Sequence, residues 1–162
     1  MPAALLRLKS TGYAAAAAFV WGMAMTMTAA AGLLLRNRLE TFHLPTILLV
    51  FFAGGLAAWL LTELIGRYLR RFIGHGWLRL CLAAIGLGAA TVFLTAAFFA
   101  LEYRSFYAQW HAPTFSRIWF LQFIFTSASA YYQFAVMALR LYLPLGPFLL
   151  LPGTWFMHRC AK

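Results

Sequence analysis

The chain has 162 residues, of which 64% are hydrophobic, 18% aromatic and only 10% charged, and its mean hydropathy is +0.80. Soluble domains carry roughly 45–50% apolar and about 25% charged residues, so a soluble globular fold, a disordered chain and a disulfide scaffold are excluded. An integral membrane protein is left. Thirteen Lys and Arg against three acids give a formal charge of +10. These cations sit in short clusters between apolar runs, a pattern that belongs to topology and anionic headgroups and not to nucleic acid.

A spanning helix needs about 20 apolar residues, and four runs reach that length. The first, 12–35, follows Arg7 and Lys9 and is closed by Arg36-Asn37-Arg38. It exceeds the roughly 7–15 residues of a signal-peptide core, so an uncleaved helix is expected in spite of the small run Ala29-Ala30-Ala31. The second, 46–66, is opened by Pro45, which suits the first turn of a helix, and is closed by Arg67, Arg70 and Arg71. The third, 78–101, is closed by Glu102-Tyr103-Arg104, and the fourth, 118–139, lies between Arg117 and Arg140. Membrane strands are about ten residues long and alternate in character; these runs are twice as long and uniformly apolar.

The last apolar segment, 141–157, carries Pro144, Pro147 and Pro152 with Gly146 and Gly153. Prolines remove backbone donors, which lipid tolerates only where the freed groups find other partners. The expected architecture is therefore a single all-α transmembrane domain: a four-helix bundle with a Pro-rich C-terminal segment that is interfacial or re-entrant. With four spans, Arg7, Lys9, Arg67, Arg70, Arg71, Arg79, Arg140, Arg159 and Lys162 share one side, nine cations against the four of Arg36, Arg38, Arg104 and Arg117. A fifth span would leave seven against six. The positive-inside rule then puts both termini in the cytoplasm, with a bacterial inner membrane as the expected location.

Helices in lipid associate through close packing and hydrogen bonds, because lipid is as apolar as their side chains. Three small-residue rows are candidate seams: Ala14, Ala18, Gly22, Thr26 and Ala30; Gly54, Ala58 and Thr62; and Ala84, Gly88, Thr91 and Thr95. On the fourth span Gln122, Thr126, Ser129 and Gln133 share one face, flanked by Tyr131 and Tyr132. Unpaired amides facing hydrocarbon are costly, so this face is expected to be a polar helix interface or, alternatively, the lining of a path. Glu63 is the one acid within a span; Arg67, four residues on, makes a candidate ion pair.

The four histidines, His43, His75, His111 and His158, lie at span ends or in loops, and Cys81 and Cys160 form no framework. Gly86-x-Gly88 lies inside an apolar span with no strand before it, so it is no dinucleotide fingerprint. With no Asp there is no Ser-His-Asp triad. No metal, cofactor or catalytic residue is expected. The loop after the third span holds Tyr103, Phe106, Tyr107, Trp110 and Phe115, with Trp119 following, the makings of an interfacial aromatic belt. Arg36, Arg38, Arg104 and Arg117 are candidate contacts for a phosphate-bearing headgroup or substrate, since guanidinium suits phosphate. Arg67, Arg70, Arg71, His75 and Arg79 would meet anionic lipid or an acidic partner on the cytoplasmic side.

Four short spans, cytoplasmic ends and basic punctuation resemble, in size and layout, the GtrA-like family of small membrane proteins that handle polyprenyl-linked sugars. That family tends to close its second and fourth helices with Asn-Arg and aromatics. Gly66-Arg67-Tyr68 lacks the Asn, and Ala138-Leu139-Arg140-Leu141-Tyr142 departs from the pattern. The expected function is a non-catalytic subunit or accessory of a larger membrane assembly, partnered by other membrane subunits or by copies of itself. The alternative, which the resemblance implies, is a transporter or flippase component for a lipid-linked sugar phosphate.

Overall fold

The structure, a computed structural model, describes residues 3–69, 71–74 and 76–160, with side chains left out for 3–11 and 158–160. Arg70, His75 and Lys162 thus lie outside the described residues, as do the side chains of Arg7, Lys9, His158, Arg159 and Cys160. Every regular element among the described residues is helical: α1 (Ala3–Leu35), α2 (Leu44–Leu69), α3 (Gly76–Tyr107), α4 (Arg117–Gln133) and α5 (Leu145–Cys160). A π turn (Phe134–Ala138) and a 3-10 turn (Leu139–Tyr142) join α4 to α5.

Three segments are long and apolar enough to cross a bilayer, Gly12–Leu35, Leu44–Leu69 and Gly76–Trp110. The expected fourth span and the expected interfacial segment form one bent unit. Arg117–Tyr142 and Leu145–Met157 pass the same test together but meet at 73°.

The local chemistry explains the element ends. α1 stops at a Schellman closure, with Arg38 N donating to Leu33 O and Asn37 N to Leu34 O. Asn37 sits at φ 53, the left-handed conformation that Asn tolerates better than most side chains. Ser116 caps α4, its Oγ accepting from Trp119 N at 3.1 Å. In α5, Pro152 interrupts the ladder, and Thr154 Oγ1 two residues on donates to Leu150 O and Leu151 O.

The small-residue rows are where the first three helices meet. A Cβ on Gly22 would lie 2.9 Å from Phe52 O, so the α1 and α2 backbones approach closely. Gly54 sits directly on Thr95, joining α2 to α3. Ala18, Ala58 and Thr95 are fully buried along these seams. Two aromatic donors pin them further: Trp21 Nε1 donates to Thr91 Oγ1 at 3.2 Å, and Tyr142 OH to Thr95 Oγ1 at 2.7 Å.

The C-terminal third departs from a four-helix up-and-down plan. Leu141 packs on Gly32, near the C-terminal end of α1, whereas Gly153 packs on Trp21, three turns earlier. α5 therefore runs antiparallel to α1, towards the end at which α1 begins. Leu150 rests on Gly88 of α3, and the Phe156 ring lies 6.4 Å from that of Trp59 in α2, so α5 touches all three long helices. α4 packs almost entirely on α3, and Ala130 is its one fully buried residue. The Pro-rich segment returns along the bundle, and the more uniform helix before it lies at the periphery.

Candidate functional site

The four arginines singled out for phosphate contacts divide into two places. Arg36 turns back over the end of α1: Nη1 donates to Gly32 O at 2.8 Å and Nη2 to Arg140 O at 3.0 Å. Arg38, exposed, follows across the Asn37 turn. Arg104 belongs to the α3–α4 contact, its guanidinium carbon 3.8 Å from the centre of the Phe123 ring, a cation–π stack. Its Nε is buried without a hydrogen-bond partner. Arg117 is exposed in the first turn of α4, where the positive end of the helix dipole disfavours a cation.

A straight fourth span predicts Arg140 on the side opposite Arg36. The structure puts the two in contact, because the turn at 139–142 lies beside the end of α1. The Arg140 side chain is itself anchored: Nε donates to Val136 O at 2.9 Å, and Nη2 reaches the same oxygen. No local signal marks this juxtaposition, since the two residues are 104 positions apart. The prolines at 144 and 147 tell that the chain bends there, and not where it goes.

The polar row of α4 is put to several uses. Gln122 Oε1 accepts from Ala112 N at 2.8 Å and so ties down the loop before the helix. Thr126 Oγ1 donates to Gln122 O and Phe123 O within its own helix. Gln133 Nε2 donates to Tyr103 OH on α3 at 3.1 Å, and Ser129 is exposed. One of the four thus bridges helices, two bond locally, and one faces outward beside Tyr131 and Tyr132, which are 39% and 70% exposed.

Arg67 Nη2 lies 2.5 Å from Glu63 Oε1, both on the outer face of α2 near its C-terminal end. His43 is exposed and stacks edge-on with Phe42, His111 is half-buried, and Cys81 is exposed with a free thiol. Among the described residues no three His, Cys, Asp or Glu side chains gather to hold a metal. The aromatic residues after the third span form chains of ring contacts, Phe99–Tyr103–Tyr107–Trp110 from the end of α3 and Phe115–Trp119–Phe123 into α4.

The threonines carry an internal network that a motif search passes over. Thr91 donates to Leu87 O and accepts from Trp21; Thr95 donates to Thr91 O and accepts from Tyr142. The signal was present in the spacing of the third small-residue row, which holds both threonines. No protein-family model, curated protein or solved structure matches the chain, so the likeness to GtrA-like proteins stays one of layout.

Proposed function

We propose that this is a non-catalytic membrane protein that serves as a subunit or accessory of a larger membrane assembly, with α4 as the docking element. One observation carries it. Of the long helices α4 leans mainly on α3, and its outward side presents Ser129, Tyr131 and Tyr132 beside Phe125 and Ile124. Exposed rings and unpartnered hydroxyls side by side on one helix suit a protein partner, which would cover the rings and pair the hydroxyls. The bonds made by Gln122 and Thr126 favour an interface over a transport path, because both are closed on the chain's own backbone.

In the same proposal the α4–α5 unit is a single broken crossing. Both termini then share a side, the cytoplasm. With Arg140 moved to the other face, eight cations there oppose five, and the positive-inside bias keeps its sign.

A photo-crosslinking amino acid at position 132 tests the docking. In native membranes it should yield one discrete adduct with a different membrane protein, while the same probe at Phe93 of α3, also outward-facing, should yield lipid adducts alone. Lipid adducts alone at both positions would reject the proposal. An adduct of twice the chain's mass would replace it by self-association.

A further inference from the structure

We propose that Arg36 and Arg140 together form a binding site for the phosphate of an anionic lipid headgroup. The two side chains are held at one turn by carbonyl oxygens: Arg36 by Gly32 O and Arg140 O, Arg140 by Val136 O. A guanidinium has five N–H donors. Arg36 commits two nitrogens and Arg140 two, so each retains donors, and both residues are exposed. Neither forms an ion pair among the described residues.

At the end of α1 the Asn37 turn satisfies Leu33 O and Leu34 O through Arg38 N and Asn37 N, and Arg36 Nη1 adds Gly32 O. The bond from Arg36 Nη2 to Arg140 O lies outside that closure and ties the two segments together, and Arg38 adds a third charge two residues on. Guanidinium forks match phosphate oxygens two at a time, and among the described residues the nearest acid in sequence, Glu40, pairs with neither arginine.

The position selects the source of the phosphate. The pair sits at the C-terminal end of a helix long enough to cross a bilayer, which is headgroup depth. Leu34, Leu35 and Leu139 are exposed around it, a wall suited to acyl chains and not to a free ion. The site does not depend on the docking role of α4, and it excludes Arg104, which belongs to the α3–α4 contact, and Arg117, which is exposed at the start of α4.

Native mass spectrometry of the full chain in detergent, with phosphatidylglycerol or phosphatidylcholine added, tests the assignment. The chain should retain phosphatidylglycerol preferentially. Arg140→Gln leaves the backbone carbonyl that Arg36 uses, and should weaken that retention about fivefold, the effect of one basic residue at an anionic surface. Arg117→Gln should leave it unchanged. Arg140→Lys keeps the charge and loses the fork, so it should fall between; it serves also if Arg140→Gln does not fold. Unchanged retention in a folded Arg140 variant, or an equal loss in Arg117→Gln, would overturn the site. Displacement of phosphatidylglycerol by excess inorganic phosphate would assign the pair to a soluble anion and overturn the lipid source.

Discussion

Thr95 makes two hydrogen bonds with one hydroxyl, donating to Thr91 O and accepting from Tyr142 OH. The two partners are not equivalent when removed. In Tyr142→Phe the threonine still has the Thr91 carbonyl, so the loss is that of an ordinary interhelical bond in a membrane protein, about 0.6 kcal/mol. In Thr95→Val the tyrosine hydroxyl stays buried with no acceptor, which costs about 1–3 kcal/mol. Unfolding in mixed micelles by titrated denaturing detergent should rank Thr95→Val well below Tyr142→Phe; the reverse order would mean that the phenol finds another partner. Thr62 is the opposite case. Its Oγ1 is buried and unbonded among the described residues, so Thr62→Val should be neutral or stabilising in the same assay. Local pairs of this kind are partly legible beforehand. Glu63 and Arg67 are four apart, and that spacing alone puts them on one helix face. Arg36 and Arg140 share no such spacing, and only the folded chain brings them together.

Elements pack where backbones can approach. The rows Gly54-Ala58-Thr62 and Ala84-Gly88-Thr91-Thr95 could be read as seams because a period of three to four keeps residues on one face; α2 and α3 do meet at Gly54 and Thr95, whereas Thr62 meets Gly86, outside the third row, and Gly88 packs on Leu150 of α5. A Cβ on Gly54 would lie 2.0 Å from Thr95 Oγ1 and 2.7 Å from Thr95 Cα. Backbone cannot yield as a flexible side chain does, so Gly54→Ala must part the two helices and should cost at least the roughly 1–3 kcal/mol of an overpacked core. Gly66, in the same helix, has nothing within 4 Å of its Cβ position, and Gly66→Ala should gain up to about 1 kcal/mol from helix propensity. Equal stability of the two variants in the micelle assay would mean that α2 and α3 do not touch at Gly54. The division of labour between α4 and α5 was not legible in this way. Apolar content favours α4 as the crossing helix and prolines count against α5, yet Gly153 fits under Trp21 and Leu150 rests on Gly88. Compensations of that kind come from tertiary contacts, which span-by-span hydropathy does not register.

For the whole molecule, the place of residue 140 decides the topology. If 118–139 were a straight crossing, Arg140 would emerge on the face that carries the loop between α2 and α3. The contacts of Arg140 with Arg36 and of Leu141 with Gly32 put it on the face that carries Asn37, with α5 completing the descent. Charge statistics do not choose between these arrangements, because moving one arginine changes nine against four into eight against five and leaves the bias intact. Cysteine accessibility does choose. With Cys81 and Cys160 replaced by Ser, single cysteines at Asn37, Thr114, Arg140 and Phe72 can be probed with a membrane-impermeant maleimide on intact cells and on inverted vesicles. Phe72 is exposed in the α2–α3 loop and reports the opposite face. Arg140→Cys should label together with Asn37→Cys and Thr114→Cys, in the preparation where Phe72→Cys is protected. Labelling of Arg140→Cys together with Phe72→Cys would restore the straight fourth span and remove both the broken crossing and the paired-arginine site.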